Sequence, residues 1–315
     1  MAVCLYFVVP CFNDADVLPI SVPVFLKKLS ELTTKGVISS ESSLVLLNDG
    51  SSDSTWETIA SLREQDKRII GINMAYNTGE QNTLLAGLSY AAEKADCIIS
   101  MDSDLQDDIN AVDRMVEDFL AGNDLVLGVR SKRPDDPFFE KLSSGLFYRL
   151  MRLARTGQIY EHANFRLMSR KAITQLLTHT ETNYYLPCIV SNMGLKRSLI
   201  YHERSVRAAG SSGYTVLKKI RLATDAILIH SRIPMILISV GTVLCAVLFL
   251  ISVIAAAVVC AHNRVWNTPL WLFSAVLLVG TLVLSVLRIL AEYLCKIFSE
   301  VRGVPRWQID QILEN

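Results

Sequence analysis

The stretch CIISMDSDLQDD, residues 97–108, decides both the expected fold and the expected chemistry. Its apolar start is short and bounded by polar residues, which is typical of a buried strand. Asp102 and Asp104 follow where that strand ends, and residues one apart in an extended chain project to the same side. Two hard oxygen ligands on one side favour Mg²⁺ or Mn²⁺, which bridges phosphate oxygens of a nucleotide. The same spacing also caps helices and fills turns, so the motif alone leaves that alternative open.

The composition argues against several classes of protein. The 315 residues carry 31 basic and 31 acidic side chains, so the net charge is zero and no nucleic-acid partner is expected. The seven cysteines include no CxxC pair, and several lie in apolar runs. We therefore expect reduced packing residues rather than a zinc site or disulfides.

Two long apolar runs near the C-terminus predict a membrane hairpin. Residues 233–261 contain no Asp, Glu, Lys or Arg, and a second apolar run covers residues 268–287. A helix needs roughly 20 apolar residues to span a bilayer, and both runs are long enough. The alternative is a pair of buried core helices, although a charge-free run of this length is unusual in a core.

Basic residues predict the orientation of the hairpin. They concentrate before the first run and after the second, whereas the loop between the runs offers only Arg264. The positive-inside rule then places both ends in the cytoplasm. No signal peptide is expected, because residues 1–10 lack a basic region. The flanking basic residues are Lys218, Lys219, Arg221, Arg232, Arg288, Lys296, Arg302 and Arg306.

These features predict four regions. Residues 1–210 form a cytoplasmic domain, residues 211–232 a juxtamembrane amphipathic helix, residues 233–290 two transmembrane helices, and residues 291–315 a cytoplasmic tail. Residues 138–155 show a similar basic amphipathic pattern, which fits either the membrane surface or the soluble core. In the juxtamembrane helix, Lys218 and Arg221 would meet lipid phosphates.

Alternating strand and helix patterns fill the first 130 residues and predict an α/β fold with a mostly parallel sheet. Ligands of such sheets bind beyond the carboxyl ends of the strands. The expected strands are residues 3–9, 44–47, 68–72, 97–101 and 125–129, and the expected helices are residues 17–33, 54–63, 80–94 and 109–121.

Polar clusters follow most of these strands. Turn chemistry explains part of the pattern, but it does not require acids from separate strands to converge. Converging acids repel one another unless a cation is present, so a divalent ion is expected among them. The clusters are Pro10, Phe12, Asn13 and Asp14; Asn48, Asp49 and Gly50; Asp102, Asp104 and Gln106; and Gly128 and Arg130.

Taken together, six ordered motifs resemble the family 2 glycosyltransferases with a GT-A fold. The closer resemblance is to membrane-anchored polyprenyl-phosphate glycosyltransferases, which include bactoprenol glucosyltransferases and dolichol-phosphate mannose synthases. The resemblance spans nearly the whole chain. The motifs are VVPCFND (8–14), LLNDGSSDST (46–55), NTGEQNTLLAGL (77–88), MDSDLQDD (101–108), NFRLMSRKAI (164–173) and GSSGYTVLKKIRLATDAI (210–227).

The resemblance implies a Rossmann-like sheet with helices on both faces and a role for each matching residue. Pro10, Phe12, Asp14 and Asp49, with Asn48 beside them, would line the base and ribose of a nucleotide sugar. Asp102 would contact the ribose or the metal, Asp104 would hold the metal on the diphosphate, and Gln106 would be a further metal ligand. Arg130 and Arg166 would counter phosphate charge; a solvated loop arginine and a surface ion pair are the alternatives.

Several residues depart from the family pattern, which limits how far the family's roles can be assigned to this chain. Asn48 and Asn164 stand where many relatives carry an acid, and Tyr76, Glu80 and Gly213 stand where basic residues are common. An asparagine takes no proton at neutral pH. A lipid phosphate is already anionic, however, and needs no base before it attacks a sugar. We therefore expect Asn164 to orient the acceptor phosphate.

The resulting prediction is an inverting transferase that moves one sugar, expected to be a UDP-linked hexose, onto undecaprenyl phosphate at the cytoplasmic membrane face. The product would serve as a sugar donor in the cell envelope. Whether the chain forms a homo-oligomer is left open by the sequence. A processive polysaccharide synthase is less compatible, because Gly303 occupies the Gln position of its Gln-x-x-Arg-Trp motif. An inactive scaffold or flippase partner is the remaining alternative.

Overall fold

The computed structural model describes residues 2–130, 162–179, 185–203, 268–301 and 305–314. The described residues separate into two compact units. The first holds a sheet with its helices and includes residues 305–314, and the second holds one long helix. The expected first transmembrane run, the juxtamembrane helix with Lys218 and Arg221, and residues 138–155 all lie outside the described residues.

Strands and helices alternate through the first 130 residues, as the apolar pattern predicts, and the mostly parallel α/β sheet is confirmed. The elements are β1 (Leu5–Cys11), α1 (Leu18–Thr34), β2 (Ser43–Asn48), α2 (Thr55–Gln65), β3 (Ile69–Met74), α3 (Glu80–Ala92), β4 (Cys97–Ser100), α4 (Ala111–Leu120) and β5 (Leu125–Arg130).

Six further elements follow along the chain. They are β6 (His162–Ser169), α5 (Arg170–Leu177), α6 (Leu186–Asn192), β7 (Arg197–His202), α7 (Thr268–Val301) and β8 (Ile309–Leu313). The NFRLMS stretch, recognised only as a motif in the sequence, therefore belongs to a strand.

All eight of these strands form one sheet, in the order β7-β5-β6-β4-β1-β2-β3-β8. Strands β1, β2, β3 and β4 pair in parallel, as do β5 and β7. Strand β6 is inserted antiparallel between β4 and β5, with Arg166 opposite Ser100 and Leu127. The insertion brings the start of β6 to the sheet edge where β4 and β5 end.

Apolar side chains on both faces of the sheet explain the near-continuous hydrophobic runs in the strands. Along β1, Leu5 and Phe7 pack in one cluster with α1, α2 and α4, while Tyr6 and Val8 pack in the other with α3, α5 and α6. Helices therefore cover both faces, and only the strand ends are left for polar chemistry.

The long helix α7 contains the second of the two predicted apolar runs. Within it, residues Leu278–Ile297 have a mean hydropathy of 1.8, and none of this window is buried within the described structure. By length and composition this helix could cross a membrane. It extends beyond the predicted end of the span, to Val301.

The last residues of the chain return to the sheet. Strand β8 pairs antiparallel with β3, and Trp307 and Ile309 pack against one core cluster. Lys94 Nζ lies 2.5 Å from Glu314 Oε2. This edge strand was missed in the sequence, where residues 291–315 were interpreted only as a tail.

Gly87 of α3 provides a test of the packing between α3 and the sheet. A Cβ at this position would lie 2.5 Å from Leu47 Cδ1 and 2.7 Å from Val8 Cγ1, and both of these side chains are fully buried. Overpacking a core costs about 1–3 kcal/mol of stability, whereas the higher helix propensity of alanine over glycine contributes about 1 kcal/mol. Gly87→Ala should therefore lower the thermal unfolding midpoint of the solubilised protein. The control is Ser89→Ala in the same helix; an equal or higher midpoint for Gly87→Ala would contradict this packing.

Candidate functional site

The candidate site lies at the edge where β1, β2, β4 and β5 end and β6 begins. Strands β1, β2 and β4 are parallel, so their carboxyl ends meet at this edge. A hydrogen bond of 2.8 Å from Ser103 Oγ to Asp14 Oδ2 joins the loop after β4 to the loop after β1. The polar clusters predicted to converge are therefore brought to one crevice.

The loop after β1 is ordered by Asp14. Its Oδ2 also accepts the Phe12 backbone N–H at 3.1 Å, and its own N–H donates to Thr55 Oγ1 at 2.9 Å. Phe12 is 47% exposed, so its ring is accessible from solvent. Pro10, the preceding predicted residue, is half-buried within β1 opposite Leu47. An exposed ring beside a fixed carboxylate could contact a flat ligand.

Asn48 and Asp49 hold neighbouring loops. Asn48 Nδ2 donates to Asn73 Oδ1 at 2.7 Å, and Asp49 Oδ1 accepts Thr83 Oγ1 at 2.6 Å and the Thr78 N–H at 2.8 Å. Both side chains are buried. The bonds to Asp49 fix the segment that leads into α3, whereas the bond from Asn48 reaches β3. Direct contact of either residue with a ligand stays a prediction.

The loop after β4 carries the Asp-x-Asp pair. Asp104 is buried and its Oδ1 accepts the Gln106 N–H at 3.1 Å, while Leu105 between them has a positive φ of 55°. Burial raises the pKa of Asp102 to about 7, and the charges of Glu80 and Asp107 add to the effect. Acids are thus crowded here, as expected for a site that receives a positive or proton-donating ligand.

The residues at this loop fit a divalent ion only with help from a substrate. Asp102, Asp104 and Gln106 offer oxygen ligands within five consecutive residues. Among the described residues, no group of three His, Cys, Asp or Glu side chains could hold an ion. Mg²⁺ commonly takes only one or two carboxylates and completes its shell with substrate phosphates and water. The donor set therefore fits a metal that binds together with a diphosphate.

Arg130 forms a buried ion pair that was not anticipated from the sequence. Its Nε donates to Asp107 Oδ1 at 2.8 Å and its Nη2 to Asp107 Oδ2 at 3.1 Å, in bidentate geometry. Arg130 Nη2 also lies 3.9 Å from Asp102 Oδ2, and His202 Nε2 lies 3.6 Å from Asp107 Oδ1. Asp107 therefore anchors Arg130 beside the Asp-x-Asp loop; the role of Arg130 at a phosphate stays a prediction.

Asn164, near the start of β6, is hydrogen-bonded to three other side chains of the site. Its Nδ2 donates to Glu80 Oε1 and, at 3.4 Å, to Asp102 Oδ1. Its Oδ1 accepts Arg166 Nη2 at 2.9 Å, and Ser100 Oγ donates to its backbone oxygen at 2.6 Å. Because both amide protons point to carboxylates, Asn164 could orient an acceptor phosphate only by giving up one of these bonds.

Arg166 is fully buried next to Asn164. Burial lowers its pKa to about 10, which still leaves the guanidinium charged at neutral pH, and the charges of Asp102 and Glu80 oppose the shift. Its Nη1 is buried without a hydrogen-bond partner among the described residues. Arg166 therefore supports Asn164 from within the core, and its role at a phosphate stays a prediction.

The structure thus brings together most of the predicted site residues and adds three that were missed. Asp107 belongs to the quoted acidic stretch, but its pairing with Arg130 is visible only in the structure. Glu80 was noted as a departure from the family pattern without a role. His202 had no signal in the sequence.

Comparison with known proteins identifies the family. The model of the Glycosyl transferase family 2 domain matches residues 6–177, which is more than half of the chain. An uncharacterized glycosyltransferase, YkoT of Bacillus subtilis, is 35% identical over 99% of this chain and 92% of its own length. A bactoprenol glucosyl transferase of Shigella phage SfII is 30% identical and covers 96% of both chains.

Among solved structures, glucosyl-3-phosphoglycerate synthase from Mycobacterium tuberculosis has a TM-score of 0.46 and 16% identity, covering 72% of this chain and 78% of its own. A similarity this distant assigns no ligand to the present site.

Asp107→Asn tests the buried ion pair with Arg130. The Asp107 side chain is 0% exposed, so its loss of charge leaves Arg130 without its principal counterion. Breaking such a pair typically costs about 3–5 kcal/mol. We expect a thermal midpoint several degrees lower, measured on the solubilised protein. The matched control is Asp108→Asn, whose carboxylate accepts hydrogen bonds from Asn110 in the same loop. Equal midpoints for the two variants would refute a stabilising pair.

Proposed function

Since this chain belongs to glycosyl transferase family 2, and is therefore a glycosyltransferase, we propose that it transfers one sugar from a UDP-linked hexose to a polyprenyl phosphate. The observation that carries this proposal is the similarity to a bactoprenol glucosyl transferase over 96% of both chains. That similarity includes the apolar C-terminal part as well as the sheet domain. Undecaprenyl phosphate is the acceptor that we propose.

The nucleotide would bind along the loops after β1 and β2. Phe12, with its exposed ring, would contact the base. Asp14 and Asp49 would lie toward the ribose, and Pro10 and Asn48 would line the bottom of the nucleotide site. Asp14 is already oriented by Ser103 and the Phe12 N–H. A preoriented carboxylate binds a ribose hydroxyl without the entropic cost of being ordered.

The diphosphate would bind at the loop after β4. Asp104 and Asp102, with Gln106, would hold Mg²⁺ or Mn²⁺, and such an ion supplies charge stabilisation to a departing diphosphate. Arg130, which is anchored by Asp107, would add positive charge on the same side. These groups stabilise the negative charge that develops on the leaving oxygen.

The acceptor needs no general base. A phosphate oxygen of the lipid attacks the anomeric carbon, the bond to the nucleotide diphosphate breaks, and the configuration inverts. Because the acceptor oxygen is already anionic, no proton is removed before attack. An amide at position 164, bonded to Glu80 and Asp102, is compatible with this chemistry.

The reaction would take place at the cytoplasmic face of the membrane. Helix α7 is long and apolar enough to cross a bilayer, and the acceptor is insoluble in water. Lys218 and Arg221 would contact lipid phosphates next to a first span at residues 233–261. The sugar-bearing lipid would then be available to cell-envelope glycosylation, and assembly as a homo-oligomer is compatible with this location.

Asp104→Asn should reduce transfer by roughly a hundredfold or more, since it removes a charged metal ligand from the diphosphate. The measurement is the rate of labelled sugar transfer to lipid by purified protein, with Asp108→Asn as the control. Excess chelator should abolish wild-type transfer, and added Mg²⁺ or Mn²⁺ should restore it. Undiminished transfer in chelator would exclude the metal.

The donor can be identified by incubating membranes that contain the protein with a panel of labelled nucleotide sugars. We expect one UDP-hexose to give an acid-labile lipid product that depends on added undecaprenyl phosphate. Membranes without the protein are the control. If none of the nucleotide sugars labels the lipid fraction, the proposed function is wrong.

A further inference from the structure

Glu80 is a carboxylate of the site that no step of the proposed reaction uses. It is the first residue of α3, follows Gly79, and is half-buried. Asn164 Nδ2 donates to its Oε1. A flexible acidic side chain at a helix start is normally solvated, so its attachment to a residue of β6 indicates a fixed position within the crevice.

One amide holds two acids together. Asn164 Nδ2 also lies 3.4 Å from Asp102 Oδ1, so Glu80 and Asp102 face the same amide group. Two ionised carboxylates held at one amide repel each other. Arg130 Nη2 lies 3.9 Å from Asp102 Oδ2, and the buried guanidinium of Arg166 holds the amide from its other side by donating to Asn164 Oδ1 at 2.9 Å. The acids are thus kept close despite an electrostatic penalty.

The chemistry of the pair restricts its ligand. No group of three acidic, His or Cys side chains among the described residues could hold an ion, so Glu80 does not complete a protein-built metal site. A phosphate would be repelled by two carboxylates. A neutral ligand with several hydroxyl donors is attracted, since each ionised carboxylate offers strong acceptor positions. A hexose is such a ligand.

We propose that Glu80 binds hydroxyl groups of the transferred sugar and helps to decide which sugar is accepted. Asn164 is then a positioning residue that fixes the Glu80 carboxylate, with Arg166 as the buried support of Asn164. This inference rests on the proposed function, because it requires a nucleotide sugar in the crevice. It also separates the two ends of the donor, with the sugar near Glu80 and the diphosphate near Asp104 and Arg130.

The competing role of Glu80 is purely local. An acid in the first turn of a helix stabilises that helix through its dipole, and Glu80 is the acid in the first turn of α3. Loss of that role would lower the stability of α3 and would weaken the binding of every ligand of the neighbouring loops by a similar factor. A sugar contact affects only ligands that carry the sugar, so the two roles can be separated by binding measurements.

The test is the affinity of the purified full chain for UDP-glucose, UDP-galactose, UDP-N-acetylglucosamine and UDP, measured calorimetrically with Mg²⁺ present. The variants are Glu80→Gln, Glu80→Ala and Asn164→Ala. Glu93→Gln is the matched control, because Glu93 is exposed at the other end of α3. We expect Glu80→Gln to weaken the best-bound UDP-sugar by about tenfold, the usual scale for losing a charged hydrogen bond, and to change UDP affinity less than about twofold.

Glu80→Ala should weaken the UDP-sugar at least as much as Glu80→Gln, and Asn164→Ala should have a smaller effect in the same direction. Equal weakening of UDP and UDP-sugar would overturn the proposal in favour of the helix role, and an unchanged UDP-sugar affinity would overturn it outright. Failure of the wild-type protein to label undecaprenyl phosphate would instead count against the proposed acceptor, whatever the binding measurements show.

Discussion

A buried positive charge under the crevice is the interaction on which the site depends. Arg166 has no exposed surface, yet it lies on the strand that separates β4 from β5 and donates to Asn164. A charge in such a place is expensive unless it is paired or hydrogen-bonded. Its hydrogen bond fixes the amide that Glu80 and Asp102 both face, and its positive charge lies close enough to both acids for them to raise its pKa.

A second arginine plays the corresponding part on the other side of the loop after β4. Asp107 is fully buried, and its two oxygens bind Arg130 in bidentate geometry. The pair fixes the loop that carries Asp102 and Asp104 from its far end. The two arginines hold the acids in place before any ligand arrives, and such preorganisation favours a reaction in which charge develops on a departing diphosphate.

Much of the fold could be predicted from the sequence, because the first five strands are short apolar runs buried on both faces and each is punctuated by turn residues. Strands β6, β7 and β8 could not be predicted in this way. Strand β6 is defined by its antiparallel insertion between β4 and β5, and β8 is a short edge strand with half-exposed side chains. Their pairing is a long-range property that local patterns do not carry.

The same limit applies to the candidate site. Strand-end position was enough to select Asp14, Asn48, Asp102 and Arg130, because parallel strands bring their ends to one edge. The partners of these residues were not visible. The Asp107–Arg130 pair joins positions 23 residues apart, and the Glu80–Asn164 contact joins positions 84 apart.

The central claim is that the chain uses an acceptor whose attacking oxygen is already ionised. The most direct measurement compares transfer of labelled sugar by the purified protein to undecaprenyl phosphate and to undecaprenol of the same length, with the same nucleotide sugar. We predict product from the phosphate alone, because a phosphate oxygen attacks without losing a proton and the proposed reaction assigns no residue as a base for an alcohol. Transfer to the alcohol at a comparable rate would contradict this account.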